Sequence, residues 1–454
     1  MRRLVPLALP LVALAACGGV EHPDVILITL DTTRADHLSL YGYERATSPA
    51  LERFAANARV FEAAMPTATW TLPSHASMFT GLHPAEHGCY LRADSDEPGE
   101  HAYAALAPSL PTLGTRLSAA GFRSVGAVGG PFTSQRYGFA RGFEHWMEPG
   151  PRWQLPGLEL VDWVDEQLEA LPADDPLFLF VNFFDAHAPH DPEPRAHWPF
   201  PAGVGDLPPI DHPEGSWTAE NPPEPEWVEQ AIAQYDRELL VQDEALEALL
   251  EALRAHGRLE DALVFITSDH GEAFGEQAQY GHGNLPYEPV ARVPLIATRT
   301  SAARGERIAT PVSNLSVAGT ILGALELPAL PGARGVDLLD EAVAAEPVYV
   351  EQRDPDGWIG VLRQGELKYV RPVESDGLGS NEILIDLERD PGEEERGAVD
   401  QSAHEEATIA RGLELRRAFD RLRSAWRQAP QDSSPVELTE AERAGLDALG
   451  YGGG

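Results

Sequence analysis

A threonine at the start of a predicted helix is the first residue of this sequence whose type and position suggest chemistry. Thr71 precedes Pro73, which favours the first turn of a helix, and Gly81 is typical of a C-terminal cap. Unpaired N–H groups and about half a positive charge at a helix N-terminus favour an alkoxide and an incoming anion. The segment therefore predicts a nucleophile at Thr71; the alternative is that Thr71 only caps the helix.

Carboxylate and imidazole groups suited to a divalent metal follow two apolar segments. Asp31 follows residues 25–30, and Asp269 and His270 follow residues 263–268. Buried carboxylates repel one another and lose solvation, and a bound cation removes both costs. Oxygen and imidazole donors together suit a divalent ion. The sequence therefore predicts a metal site; the alternative is that Asp269 caps a helix and His270 is a structural loop residue.

Three further histidines are candidates for metal binding or proton transfer. His187 and His190 follow Asp185, and His282 lies between two glycines. Histidine suits both roles because small changes in its surroundings move its charge across neutral pH. A second ion at Asp185, His187 and His282 is a further hypothesis from this grouping.

The elements that must position these side chains are predicted by three apolar runs. Residues 25–30, 177–184 and 263–268 are almost continuously apolar, and each run is followed by an aspartate. Runs without alternation are typical of strands buried on both faces, as in a parallel sheet. Ligands bind beyond the carboxyl ends of such strands. We predict an α/β fold with a mostly parallel central sheet flanked by helices.

Other patterns predict the remaining organisation. Ser48 and Pro49 predict a helix to about residue 58, and a longer periodic stretch predicts a helix over 227–256. Residues 193–226 predict a surface loop over the site. A small C-terminal antiparallel α+β subdomain is predicted from short alternating strands and a terminal helix. The strands lie near 347–351, 358–363, 367–371 and 383–387, and the helix spans 404–427. The predicted boundaries are 24–335 for the catalytic domain, 346–430 for the subdomain and 431–454 for a tail.

The amino terminus has the pattern of an export signal. Arg2 and Arg3 precede a short apolar run that ends in small residues before Cys17. The run is too short to span a bilayer, which takes about 20 residues. The small residues before Cys17 resemble the lipobox of bacterial lipoproteins; an ordinary cleaved signal with an incidental cysteine is the alternative. We predict a signal peptide over 1–16 and an exported, periplasmic or cell-envelope lipoprotein, attached to the membrane only through Cys17.

Composition excludes several classes of protein. The 454 residues include 34 Lys plus Arg against 72 Asp plus Glu, for a net charge of −38. A chain so acidic does not bind nucleic acid through a basic surface. Its two cysteines exclude a disulfide framework and a Cys-based zinc finger.

From about residue 24 onward the sequence resembles the sulfatase family within the alkaline-phosphatase-like superfamily. The matching pieces are Asp31-Thr32-Thr33-Arg34-Ala35-Asp36, residues 71–81, Gly121-Phe122-Arg123, Gly142-Phe143-Glu144, Tyr235-Asp236, Asp269-His270-Gly271-Glu272 and Asp390-Pro391-Gly392-Glu393. The resemblance implies the same fold.

The resemblance also assigns roles to residues of this chain. It implies that Asp31, Asp269 and His270 hold the metal, and that Thr71 is the nucleophile and contacts the metal with its oxygen. By the same resemblance, His187 and His282 hold the transferred group or its leaving oxygen. The implied cofactor is a divalent ion, with Ca, Mg, Mn and Zn as the candidates.

Three positions depart from the family pattern. Sulfatases carry a Cys or Ser that is oxidised to formylglycine, whereas this chain has Thr71, and the methyl group on its β-carbon blocks oxidation to an aldehyde. His75 stands where the family has an arginine, and we expect it to bind the anion. Thr32 replaces the usual second aspartate of the metal site.

These residues predict a metal-dependent hydrolase of anionic esters, with Thr71 as nucleophile and phosphoesters as the expected substrates. The expected substrate is a small molecule, a glycan or a lipid headgroup that carries an anionic ester. One alternative is a sulfatase that works without formylglycine. An alternative of another class is a non-catalytic binding protein on the same fold.

Overall fold

The computed structural model describes most of the chain. The described residues are 22–93, 101–190, 222–283, 285–302, 304–354, 357–374, 382–394, 397–398, 406–426, 428–430 and 432–447. The predicted signal peptide, the predicted anchor Cys17 and most of the predicted loop 193–226 lie outside these residues.

The largest element is a central sheet of eight strands. In chain order they are β1 Asp24–Leu30, β2 Arg59–Phe61, β3 Arg123–Val128, β4 His145–Met147, β5 Leu177–Phe183, β6 Ala262–Thr267, β7 Leu295–Arg299 and β8 Glu306–Ile308. Their order across the sheet is β8-β2-β7-β6-β1-β5-β3-β4. Strand β7 is antiparallel to its neighbours β6 and β2, and the other pairs are parallel. The predicted mostly parallel sheet is therefore confirmed.

Ten α-helices accompany the sheets in the described part of the chain. They are α1 Pro49–Ala55, α2 Thr71–Thr80, α3 Pro84–His87, α4 Leu113–Ala119, α5 Gly157–Ala170, α6 Pro225–Ala255, α7 Glu288–Ala291, α8 Ser316–Ala324, α9 Glu406–Ser424 and α10 Glu440–Asp447. Short two-stranded ribbons pair Ala64–Met65 with Val312–Ser313, Leu91–Ala93 with His101–Tyr103, and Ala273–Phe274 with Tyr280–Gly281.

Both faces of the central sheet are covered by helices, which explains the apolar runs. Ile26 and Ile28 of β1 belong to one core, with residues of α5 and α6. Val25 and Leu27 belong to the other core, with residues of α2 and α8. Because successive side chains of a strand point to opposite faces, a strand covered on both sides has no polar face.

Helix α1 differs from its predicted capping. Ser48 makes no side-chain cap, and the helix ends at Ala55. Instead, the Asp243 carboxylate of α6 accepts hydrogen bonds from the N–H groups of Ala50 (2.7 Å) and Leu51 (2.9 Å). The acceptor for this helix start comes from a distant helix, so no local pattern indicates it.

The predicted C-terminal antiparallel sheet is present. Its strands are β9 Val348–Asp354, β10 Gly357–Gln364, β11 Leu367–Glu374, β12 Ile383–Asp386 and β13 Gly397–Ala398, paired in that order. One face packs against α9 through residues such as Tyr369 and Phe419. The other face packs against Tyr287 of the catalytic domain through Val361 and Val370.

The segment predicted as a tail is described over 432–447 and packs against the catalytic domain. The N–H of Val436 donates to the carbonyl of Tyr103 (2.8 Å), and the side chain of Leu446 in α10 is buried. Arg136 forms an ion pair with Glu442 (2.7 Å). Among the described residues, no helix has the length and apolar character that a membrane span requires.

Candidate active site

Three neighbouring strands end at one edge of the central sheet. Thr29 of β1 is in register with Asn182 of β5 and with Thr267 of β6. Asp31 and Asp269 follow the ends of β1 and β6, and neither carboxylate is exposed. The parallel register thus brings two residues that are far apart in sequence to one place, as the three apolar runs predict.

Asp31, Asp269 and His270 form one group that could hold a metal ion. One ligand atom from each lies within 4.8 Å of the others, and all three residues are buried. This is the only such group of His, Cys, Asp or Glu among the described residues. Asp185, by contrast, accepts a hydrogen bond from the first N–H of α5, at Gly157 (2.9 Å). Within the part of the chain that the structure describes, Asp185, His187 and His282 do not form a second group of this kind.

The polar contacts of this group leave an oxygen for a cation. Asp31 accepts hydrogen bonds from the Thr32 hydroxyl (2.9 Å) and from Asn182 Nδ2 (3.2 Å). Oδ2 of Asp269 is buried and accepts no hydrogen bond from the described residues, although His75 Nδ1 and His270 Nε2 each lie 3.4 Å away. A buried carboxylate oxygen in this position fits a metal ligand.

Burial and charge set the protonation of the group. Burial and the neighbouring Asp269 carboxylate raise the pKa of Asp31 well above its usual range. Burial lowers the pKa of His270 to about 4, so its ring is neutral near pH 7. Neutral imidazole is the form that binds a metal, whereas two adjacent ionised carboxylates need a cation.

Thr71 lies at the start of a helix beside this group. Helix α2 begins at Thr71 itself, after Trp70 in an extended conformation, and ends before Gly81, whose φ of +70° suits a glycine. The Thr71 side chain is buried, and Oγ1 lies 3.3 Å from Nε2 of His270. The hydroxyl therefore combines a helix N-terminus with the predicted metal group.

His75 lies one turn further along α2, beneath Thr71. Its ring is fully buried, with Nδ1 3.0 Å from the Thr71 carbonyl and Nε2 3.1 Å from Thr29 Oγ1. This placement differs from the expected contact with the anion, because both ring nitrogens already face protein oxygens. The geometry indicates that His75 holds Thr71 in position through the contact with the Thr71 carbonyl.

Two residues that sequence reasoning missed connect His75 to the metal group. Because Asn182 Nδ2 donates to Asp31, its Oδ1 remains to accept a hydrogen bond from the Thr29 hydroxyl (2.6 Å). Thr29 in turn contacts His75. The available signal was polarity: Thr29 and Asn182 are polar residues within otherwise apolar strands.

The predicted histidines His187 and His282 come together with His270. The ring centroid of His282 lies 4.5 Å from that of His270 and 4.9 Å from that of His187. Nδ1 of His282 lies 3.3 Å from the Glu272 carboxylate, a further contact that sequence reasoning did not assign. Burial, and then the neighbouring His282, lower the pKa of His187 well below its usual range. His190 packs instead against the rings of Tyr235 and Phe274.

The turn after β1 has an unusual backbone. Thr32 has a φ of +57°, in the left-handed region that a β-branched residue rarely adopts. The N–H of Thr32 donates to Asp269 (3.1 Å), and its carbonyl accepts a hydrogen bond from the Tyr235 hydroxyl (2.8 Å). The same hydroxyl accepts from the N–H of Arg34 (2.9 Å). Helix α6 thereby fixes the turn that presents Asp31.

The segment before Thr71 is fixed by two other parts of the chain. The N–H of Gly283 donates to the Thr69 carbonyl (2.8 Å), beside His282. The N–H of Glu351 in β9 donates to the Thr67 carbonyl (2.9 Å), and the Thr69 hydroxyl donates to Gln352 Oε1 (2.6 Å). The C-terminal sheet is therefore joined directly to the segment that carries the candidate nucleophile.

Comparisons with known proteins point to one family. The family model described as Sulfatase matches residues 23–327. The chain is 32% identical over 174 residues to the choline-sulfatase of Rhizobium meliloti, a match that covers 35% of this chain and 33% of that protein. It is 22% identical to the Delta 4,5-hexuronate-2-O-sulfatase of Bacteroides thetaiotaomicron, over 85% of this chain and 88% of that protein.

A solved structure shows the same fold. The phosphonate monoester hydrolase of Silicibacter pomeroyi superimposes with a TM-score of 0.66 at 17% identity. The superposition covers 92% of this chain and 99% of that one.

Proposed function

Because this chain belongs to the sulfatase family, we propose that it is a metal-dependent hydrolase of anionic esters, with Thr71 as the nucleophile and phosphorus esters as its preferred substrates. The single observation that supports this most is the position of Thr71 Oγ1 at the N-terminus of α2, 3.3 Å from His270 in the candidate metal group. A binding protein on this fold has no need of a hydroxyl there, so the arrangement favours an enzyme.

The candidate metal group fits a divalent ion held by Asp31, Asp269 and His270, with the Thr71 oxygen as the fourth donor. When bound, such an ion supplies Lewis acidity that stabilises the ionised Thr71 hydroxyl and the negative charge of the ester. The positive end of the helix dipole at the start of α2 favours the same charges.

The steps proceed by displacement at the central atom. The ionised Thr71 Oγ1 bonds to phosphorus while the bond to the leaving oxygen breaks, and His282 gives that oxygen a proton. Burial lowers the pKa of His187, so the role of this neutral ring is to hold the transferred group. Water then attacks phosphorus and passes one proton to His282, and the bond to Thr71 breaks to release the Thr71 oxygen in the ionised form from which the reaction started. His75, Thr29 and Asn182 hold Thr71 and Asp31 in place during both steps.

The identity of the nucleophile supports phosphorus over sulfur as the central atom. A formylglycine hydrate expels sulfate by collapsing to an aldehyde, whereas an ester of Thr71 must be cleaved by attack at the central atom. Names among the relatives favour the alternative, a sulfatase without formylglycine, since choline-sulfatase acts on a sulfate ester by its name. The likeness to phosphonate monoester hydrolase is one of fold.

Matched substrates and variants of Thr71 test the proposal. We expect the purified protein, with metal, to contain unmodified Thr71 and to hydrolyse aryl phosphates or phosphonates faster than the matching aryl sulfates. Thr71→Ala should lower turnover at least about a hundredfold, and Thr71→Ser should retain part of it because the hydroxyl remains. A tenfold preference for the aryl sulfate would contradict the substrate, and full activity of Thr71→Ala would contradict the mechanism.

We also propose that the protein is exported and anchored through an acylated Cys17. The support is the apolar run that ends in small residues before this cysteine. Partitioning into detergent and the intact mass of the protein from cells should reveal the lipid. Cys17→Ser should abolish both signals; if the membrane fraction and the mass pattern are unchanged in this variant, the anchor is wrong.

A further inference from the structure

The first residue after strand β5, Phe184, lies flat against a histidine of the candidate site. Its side chain is buried, and its ring centroid lies 4.2 Å from that of His187, with the two ring planes 14° apart. We propose that Phe184 is a positioning residue that sets the plane of the His187 ring. The inference rests on the proposed function, in which His187 holds the transferred group.

The His187 ring needs a neighbour to fix its plane. The torsion that turns an imidazole about its Cβ–Cγ bond has broad minima, so it does not select one orientation by itself. Nδ1 of His187 donates a hydrogen bond to the Ala188 carbonyl (2.7 Å), because a carbonyl oxygen can only accept. A single bond of this kind still allows the ring to tilt. The plane of the ring, and with it the position of Nε2, therefore depends on the group that covers its face.

Two glycines leave room for the Phe184 ring. Gly129 and Gly130 follow strand β3, which pairs with β5. A Cβ on Gly130 would lie 2.4 Å from two ring carbons of Phe184, and a Cβ on Gly129 would lie 2.8 Å from the Phe184 Cβ. Gly130 has a φ of −114°, which any residue adopts. The Phe184 ring, and not the backbone conformation, therefore requires a glycine at this position.

The backbone beside the stack is hydrogen bonded on both sides. The N–H of Gly129 donates to a carbonyl of β5 (2.8 Å), and the Gly129 carbonyl accepts from the N–H of Leu155 (3.0 Å). The preceding residue, Gln154, donates through Nε2 to the Ala188 carbonyl (3.2 Å), the same acceptor that His187 uses. The loop after β3 and residues 154–155 therefore support both the stack and the hydrogen bond of His187.

His282 also contacts the His187 ring. Its ring centroid lies 4.9 Å away, with the planes 71° apart. The contacts with Phe184, Ala188 and His282 together define one orientation of the ring. Catalysis is sensitive to such placement, because an error of about 1 Å in a positioned group can lower the rate about a hundredfold. Loss of the stack should therefore weaken the hold on the transferred group without removing any polar group from the site.

Replacement of the Phe184 ring tests the inference. Phe184→Leu keeps an apolar side chain but loses the flat ring. Phe178→Leu is the matched control, in the same strand β5, where Phe178 packs against the ring of Phe143 (5.1 Å between centroids). We expect Phe184→Leu to lower kcat/KM for an aryl phosphate at least about tenfold and to weaken inhibition by inorganic phosphate. The control should lose stability but leave both values unchanged. Equal inhibition by phosphate in the two variants overturns the inference.

A double variant separates positioning from a general effect on the fold. Because Phe184 acts through His187, Phe184→Leu should add less than about twofold to the loss of activity in His187→Ala. A further loss of about tenfold in the double variant overturns the inference. Gly130→Ala displaces the same ring through its new Cβ and should give the same pattern as Phe184→Leu, which keeps the test valid if Phe184→Leu fails to fold.

The proton resonances of the His187 ring give a readout that does not depend on turnover. A stacked aromatic ring moves these resonances upfield, and the signal of His187 is identified by its absence in His187→Ala. We expect the upfield shift in the wild type and in Phe178→Leu, and its loss in Phe184→Leu. A wild-type His187 without the shift overturns the inference, whereas a shifted resonance without turnover of any ester overturns the proposed function alone.

Discussion

Two buried carboxylates at the sheet edge are the residues on which the site depends. Asp269 receives hydrogen bonds from the N–H groups of Thr32 (3.1 Å) and His270 (3.0 Å) through Oδ1, while Oδ2 receives none from the described residues. Oδ1 is therefore committed to the local backbone, and Oδ2 remains for an ion. Because the two oxygens of Asp269 have different roles, the effect of replacing this residue with asparagine can be predicted.

Asp269→Asn should remove most bound metal and activity. The amide keeps the size of the side chain but loses the negative charge, so Asp31 alone cannot balance a divalent ion. The measurement is elemental analysis of the purified variant beside the wild type, with thermal unfolding to check the fold. Retention of one equivalent of metal by Asp269→Asn would exclude this residue as a ligand.

At this scale the sequence predicts which side chains gather at the sheet edge better than it predicts the residues that support them. Thr71, Asp31, Asp269 and His270 could be predicted because each follows a strand or starts a helix in a recognisable pattern. The contacts of His75, Thr29 and Asn182 could not, since they depend on the register of β1 with β5 and on the packing of α2 below the edge. The expected role of His75 failed to match its placement for the same reason.

The long helix α6 is the element that fixes the strained turn after β1. One hydroxyl, that of Tyr235, donates to the Thr32 carbonyl and accepts from the N–H of Arg34. A left-handed β-branched residue persists only where its surroundings hold it, at a cost on the order of 1–3 kcal/mol. Tyr235 therefore connects helix α6 to the orientation of Asp31.

Tyr235→Phe should lower stability by about 1–3 kcal/mol and weaken metal binding about tenfold. The stability falls because two buried backbone groups lose their partner, and the affinity falls because the turn that carries Asp31 loosens. Denaturant unfolding and metal titration measure the two effects separately.

Tyr41→Phe is the matched control. Its hydroxyl also joins two backbone groups, the carbonyl of Phe61 (3.2 Å) and the N–H of Leu295 (3.0 Å), but Tyr41 makes no contact with the metal group. We expect a similar loss of stability with unchanged metal affinity. Equal metal affinity in Tyr235→Phe and Tyr41→Phe would contradict a positioning role for Tyr235.

Strands and helices were predictable where one pattern dominates. The apolar runs of β1, β5 and β6 and the periodic stretch of α6 match the structure within a few residues. The cap of α1 was not predictable, because its acceptor Asp243 belongs to α6. Burial raises the pKa of Asp243 to about 6, because the ionised carboxylate loses its contact with water inside the protein.

At the scale of the whole molecule, a buried charge cluster joins the catalytic domain to the C-terminal sheet. Lys368 of β11 is fully buried, and its Nζ lies 2.5 Å from the Glu393 carboxylate and 3.1 Å from that of Glu288. Burial opposes the charge of Lys368, but the two glutamates outweigh it and raise the pKa of this lysine. Stability from a raised lysine pKa is fully present below the unfolded value of about 10.4 and is lost only above it.

Lys368→Met should destabilise the protein by about 3–5 kcal/mol at neutral pH. Removal of the ammonium leaves the buried Glu393 carboxylate without its cation, whereas Glu288 keeps its ion pair with Arg363 (3.1 Å). An unpaired buried charge costs more than the intact pair contributes. Burial raises the pKa of Glu393, so its carboxyl becomes neutral in the folded protein above the unfolded value of about 4.3, and the deficit should narrow as the pH falls toward that value. Urea unfolding at several pH values measures it, and a deficit that is constant with pH would contradict this account.

The hydrogen bonds from β9 to Thr67 and Thr69 also have a consequence for synthesis. A ribosome makes Thr71 early and Glu351 and Gln352 much later, so the segment before this candidate nucleophile lacks these partners while most of the protein is still being made. The surroundings of the Thr71 hydroxyl are therefore completed among the last features of the nascent protein. A chain that stalls before β9 lacks the contacts that arrange the segment before Thr71.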